Sequence, residues 1–185
     1  MAITIRPLSA ALGAEIEGVD LAGPLSQETI LGIRQALLKH LVVFFRDQTL
    51  DPTNQLSFAR QFGEPIEYPF AKPLDGFPFI IPIIKREHET LNFGGIWHSD
   101  TTYLEQPPLG TILYARQVPP VGGDTLFANM YLAYDSLSDG MQKLLGSLVG
   151  VNRADKLDAS RTQIRKVRDP LDSGVEVAEH PAVRL

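Results

Sequence analysis

The sequence predicts one mainly β domain spanning residues 1–185, a β-sandwich or jelly roll decorated with helices. Three features predict it. Short runs alternate polar and apolar residues or are wholly apolar, as strands do; two early segments carry helix caps; long stretches rich in Pro and Gly separate them. Strands and helices do not alternate as βαβ units, and no G-x-G-x-x-G or phosphate-loop pattern is present.

Ile3 and Ile5 alternate with Thr4 and Arg6, the mark of a short strand, and Ala14-Glu15-Ile16-Glu17-Gly18-Val19 continues the period of two, with Gly13 and Gly18 as turn punctuation. Ser26 is a helix N-cap, Glu28 a first-turn carboxylate that the helix dipole favours. Ile30, Ile33 and Leu37 follow at helical spacing, which predicts an amphipathic helix over 27–39. The run Leu41-Val42-Val43-Phe44-Phe45 is apolar on both faces and predicts an interior strand. Asp51-Pro52 starts a second helix, with Leu56, Ala59 and Phe62 as its buried stripe and Gly63 as its end. Residues 64–95 hold five prolines and read as long loops around one strand at 79–84, with Pro82 marking an edge or bulge. Two further strands are expected at 111–116 and 125–128, joined by the turn Pro119-Pro120-Val121-Gly122-Gly123-Asp124. Asn129 and Ser138 each cap a helix, and Met141, Leu144, Leu145 and Leu148 form a second apolar stripe. Residues 153–175 are polar and expected to be mobile, and a last strand begins near His180.

A net charge of −5 argues against nucleic acid as the partner, because phosphate binding needs clustered Lys and Arg. The nearest basic cluster, Arg161, Arg165, Lys166 and Arg168, is interleaved with Asp155, Asp158 and Asp169. No cysteine is present, so disulfides, thiolate metal sites and a Cys nucleophile are excluded. A bound metal must then be held by His, Asp, Glu or water, a ligand set that suits iron, manganese or zinc. No apolar run reaches membrane-spanning length and the N-terminus lacks the pattern of a signal peptide, so the expectation is a cytoplasmic protein that does not engage membranes.

His98 and Asp100 are two residues apart. On a strand such residues point to one face, where an imidazole nitrogen and a carboxylate oxygen can reach a single metal. That is half of a 2-His-1-carboxylate facial triad. The same spacing also serves a surface hydrogen-bonded pair.

The stretch Trp97-His98-Ser99-Asp100-Thr101-Thr102-Tyr103 with Pro107-Pro108, followed by Gly122-Gly123-Asp124-Thr125-Leu126-Phe127, resembles the taurine/2,4-dichlorophenoxyacetate dioxygenase family. So do Gly13-Ala14-Glu15-Ile16, Val43-Phe44-Phe45-Arg46 with Gln48, Phe58-Ala59-Arg60 with Phe62-Gly63, Ala133-Tyr134 and His180-Pro181-Ala182-Val183-Arg184. The resemblance implies a double-stranded β-helix and an oxygenase that uses Fe(II), 2-oxoglutarate and dioxygen to hydroxylate a small organic acid, releasing succinate and CO2. It implies His98 and Asp100 as iron ligands and Thr125 as a hydrogen-bond donor to a carboxylate of 2-oxoglutarate; read alone, Thr125 is a β-branched residue starting a strand. Trp97, Tyr103, Tyr68, Phe70 and Phe127 are the residues expected to shape the substrate pocket, and relatives imply a homo-oligomer.

The match departs from the family at two substrate positions. Tyr68 stands where taurine-specific members place a His, with Glu67 beside it, and Gly94-Gly95-Ile96 stands where an Asn is usual. Both departures argue against taurine itself and lead to the expectation of a larger or more apolar substrate, within the general class of carboxylates, sulfonates or sulfate-type acids. The family pattern continues past a segment like His180 to Arg184 into the distal iron-binding His and an Arg that anchors 2-oxoglutarate, and these 185 residues contain neither. The jelly roll is therefore expected to be incomplete at its C-terminal side. His180 matches a non-ligand His of the family, and His40 at a helix end reads as structural. The competing expectation is a non-catalytic family member that acts through protein association.

Overall fold

The computed structural model describes residues 3–90, 92–154 and 177–184. Their elements run β1 (Thr4–Pro7), β2 (Ala14–Glu17), α1 (Gln27–His40), β3 (Val43–Phe44), α2 (Pro52–Arg60), α3 (Met130–Asp135), α4 (Asp139–Leu145), β4 (Val149–Arg153) and β5 (Val177–Pro181). The chain divides into two compact units. One joins the described residues up to Phe62 with Ile112–Gln142; the other joins Gly63–Thr111 with the described residues from Lys143 onward. The mixed-charge cluster between Asp155 and Asp169 lies outside the described residues. No helix among the described residues is long and apolar enough to cross a membrane.

In the first unit β2 is the central strand, antiparallel to β1 and parallel to β3. Ser26 caps α1 by accepting from the Thr29 amide, as its position before the apolar repeat predicts. The helix buries Ile30, Ile33 and Ala36. Ile33 and Ala36 join Ile16, Leu21 and Phe58 as the core, with Val43, Phe45 and Phe62 packed against it. Asp51 caps α2 by accepting from the Asn54 amide. Gln48 pins the intervening loop: its Nε2 donates to Val19 O and Arg46 O, and its Oε1 accepts from Leu21 N.

Five expectations are corrected. The run 41–45 does not form an interior strand. Leu41 is the left-handed C-cap of α1 (φ 67°), its amide bonded to Leu37 O, so only Val43–Phe44 pair, at the sheet edge. The 79–84 segment carries no strand; Pro78 and Pro82 remove two ladder donors, and an isolated Leu74–Phe77 bridge is what pairs nearby. Residues 111–116 and 125–128 run without ladder partners among the described residues. Tyr114 still anchors the first of these, since Leu50 N donates to its hydroxyl and that hydroxyl donates to Gln48 O. The stripe Met141, Leu144, Leu145 and Leu148 is not buried, although Asn129 and Ser138 do cap α3 and α4 as expected.

In the second unit β4 and β5 pair antiparallel from Val149↔Pro181 to Arg153↔Val177. Phe70, Tyr103 and Ala154 form its buried cluster, with Tyr68 and Leu104 against it.

Candidate functional site

The segment holding His98 and Asp100 is a loop, not the strand that would put i and i+2 on one face. The two side chains converge all the same. His98 Nε2 lies 3.2 Å from Asp100 Oδ1, and the other ring nitrogen, Nδ1, lies 2.7 Å from the Ile96 carbonyl. Gly94 (φ 66°) comes so close beneath the imidazole that a Cβ there would stand 3.2 Å from His98 Cε1.

Both ring nitrogens of His98 therefore face oxygen acceptors. The contact with Asp100 is complete only with a positive charge between imidazole and carboxylate, either a proton or a metal ion. A His that donates Nδ1–H to a backbone carbonyl presents Nε2 as the ligating atom, the usual arrangement at metal centres. Two donors each about 2.1 Å from a metal and at right angles stand about 3 Å apart, close to the observed separation. The side chains are 47% and 55% exposed, so as an ion pair alone they would contribute little. Among the described residues no third His, Asp or Glu completes a cluster.

The carboxylate is held from its other side as well. Thr111 Oγ1 donates to Asp100 Oδ2 at 2.9 Å. Thr101, next in the chain, takes a left-handed conformation (φ 51°) that a β-branched residue rarely adopts. Its hydroxyl is buried without a hydrogen-bond partner among the described residues. The turn is secured by Leu104 N bonding to Thr101 O and by His180, whose Nε2 lies 3.0 Å from Thr102 O and 2.9 Å from Leu104 O. Both partners are carbonyls, so Nε2 carries a proton and His180 acts as a donor from β5.

Three of the residues expected in the substrate pocket gather beside this loop. Tyr68 meets Phe70 edge to face at 5.5 Å, and Phe70 meets Tyr103 at 5.7 Å. Burial, and secondarily the negative charge of Asp100, push the Tyr68 hydroxyl above its ordinary pKa, so it remains a neutral phenol. Trp97 is 69% exposed. Thr125 and Phe127 belong to the first unit, where both are exposed and Phe127 packs edge to face on Phe44. Thr111 and Thr101 escaped the sequence reading. A hydrogen bond between residues eleven apart in a loop leaves no periodic signal.

Residues 4–185 match the family described as taurine catabolism dioxygenase TauD, TfdA family. The chain belongs to the TauD/TfdA family. A relative from Pseudomonas putida, an alpha-ketoglutarate-dependent sulfate ester dioxygenase, is 33% identical over 190 residues, covering 99% of this chain and 62% of its own. The crystal structure of a taurine dioxygenase from Burkholderia xenovorans aligns with a TM-score of 0.72 at 34% identity, covering 98% of this chain and 58% of that one. That of AAD-2 in complex with Mn(II) and N-oxalylglycine aligns with a TM-score of 0.68 at 25% identity, covering 97% and 63%. The chain thus spans about six-tenths of the length of these TauD/TfdA relatives.

Proposed function

We propose that this chain carries the Fe(II)-binding loop and part of the jelly roll of a 2-oxoglutarate-dependent dioxygenase acting on a small organic acid. The observation that carries the reading is His98, with Nδ1 committed to Ile96 O and Nε2 aimed at Asp100 Oδ1. Membership of the TauD/TfdA family and the likeness to a relative named for alpha-ketoglutarate and sulfate esters support it.

In this reading His98 Nε2 and Asp100 Oδ1 are two protein ligands, and the Ile96 carbonyl sets the tautomer and plane of the imidazole. The bound iron would supply the four-electron reduction of dioxygen, one oxygen atom entering succinate as 2-oxoglutarate loses CO2 and the other entering the hydroxylated substrate. Thr125, by its place in the family motif, hydrogen-bonds a carboxylate of 2-oxoglutarate. Tyr68, Phe70 and Tyr103 form the aromatic side that excludes water, and the neutral Tyr68 hydroxyl is a hydrogen-bond donor for an anionic substrate group. Trp97 and Phe127 are pocket residues in this proposal through the family motif. The substrate is a sulfate-type or carboxylate compound in preference to taurine, since Tyr68 lacks the cationic charge of the His found in taurine-specific members.

Anaerobic addition of Fe(II) and 2-oxoglutarate to the full-length gene product tests the reading. We expect the weak visible charge-transfer band of the chelate, and its loss in His98→Ala. No band in the folded parent protein would overturn it. The alternative reading is a non-catalytic family member acting by protein association. It predicts no band and no succinate from the full-length product.

A further inference from the structure

We infer that Thr111 is a positioning residue for Asp100, orienting its carboxylate so that a single oxygen faces the metal site. This rests on the proposed metal-binding role of His98 and Asp100. The two oxygens of Asp100 are not equivalent: Oδ1 lies 3.2 Å from His98 Nε2, and Oδ2 accepts the Thr111 hydroxyl at 2.9 Å. With Oδ2 occupied, Oδ1 is the oxygen left for a cation beside His98.

A carboxylate on an exposed loop is otherwise free to turn about its last torsion. The side chain of Asp100 is 55% exposed and its segment has no ladder to hold it. Thr111 is suited to stop this rotation because a β-branched residue has few side-chain rotamers to lose on forming the bond. The bond also closes the segment between Asp100 and Thr111, which contains Pro107, Pro108 and Gly110, so the loop is tied at both ends. Hydrogen bonds to ligating carboxylates raise metal affinity by fixing their orientation, and losing one costs on the order of 10- to 100-fold. A plain surface Thr–Asp bond would leave metal affinity unchanged.

Mn(II) titration of the full-length gene product, followed by electron paramagnetic resonance of the free ion, separates these cases. Thr111→Val keeps the shape of the side chain and deletes the donor; we expect its Mn(II) affinity to fall on the order of tenfold or more, with the thermal unfolding midpoint retained. Thr111→Ser restores the donor and should bind nearly as the parent does. Parent-like binding by Thr111→Val, alongside loss of binding in His98→Ala, overturns the positioning role and leaves the metal site standing. Equal weakening of the Val and Ser variants also overturns it, because the hydroxyl would not be the cause. Unchanged binding in His98→Ala overturns the reading of the site itself.

Discussion

At the scale of single residues, the candidate site centres on Asp100, whose two oxygens face His98 Nε2 and the Thr111 hydroxyl. His98 and Asp100 lie in a loop, where alternation along a strand does not apply. What brings them together is the Ile96 carbonyl on one side and the Thr111 hydroxyl on the other, neither of which any periodicity encodes. Tyr68, an expected pocket residue, is linked to Asp100 electrostatically, a link no sequence pattern encodes. That link yields a pH prediction. A tyrosine whose proton is held more tightly in the fold than in the unfolded chain makes the folded state lose stability as pH rises from about 10, the ordinary value, towards the raised one. Tyr68→Phe should therefore flatten this alkaline loss in metal-free protein. In the same protein Asp100→Asn should bring the Tyr68 titration back part of the way, because burial, the larger cause, remains. Phenolate absorbance measured against pH checks both; an Asn variant with an unmoved titration would break the link.

At the scale of elements, caps were read well and ladders poorly. Ser26, Asp51 and Asn129 each accept the amide bonds that N-caps accept, a local matter that the sequence spells out. Strands at 79–84, 111–116 and 125–128 failed as expectations because a ladder depends on a partner that local pattern cannot supply. β4 was missed, and β5 begins at Val177, earlier than the His180 expected. The consequence for the site lies in β5: His180 holds two carbonyls of the turn after Asp100 across 78 and 76 residues of sequence. Removing the donor in His180→Ala leaves both carbonyls without that partner, and we expect a loss of about 1–3 kcal/mol of stability. His180→Gln, which retains a donor, should recover part of it. Denaturant unfolding of the three proteins measures this, and equal midpoints for parent and Ala variant would rule the clamp out.

At the scale of the whole molecule, the described residues leave much apolar surface uncovered. Leu113, Leu126 and Met130 are 65–71% exposed, and Ile112, Phe127 and Leu132 are exposed beside them in sequence. Isolated exposed apolar residues are ordinary, but a run of them over two segments without ladder partners is a surface that seeks cover. The TauD/TfdA relatives are longer than this chain, which covers 62% and 58% of two of them. The 185 residues should bind a hydrophobic dye strongly; dye binding no greater than that of an ordinary folded domain would show that this surface is covered. Under the proposed dioxygenase reading, His98 and Asp100 are two donors on an exposed loop that would hold a divalent ion loosely, and no third His, Asp or Glu joins them among the described residues. On that reading the 185-residue chain, given Fe(II), 2-oxoglutarate, dioxygen and a sulfate ester, should release no succinate above background. Turnover by the 185 residues alone would mean that a third ligand comes from within them, and substituting His88 and His180 one at a time would then locate it.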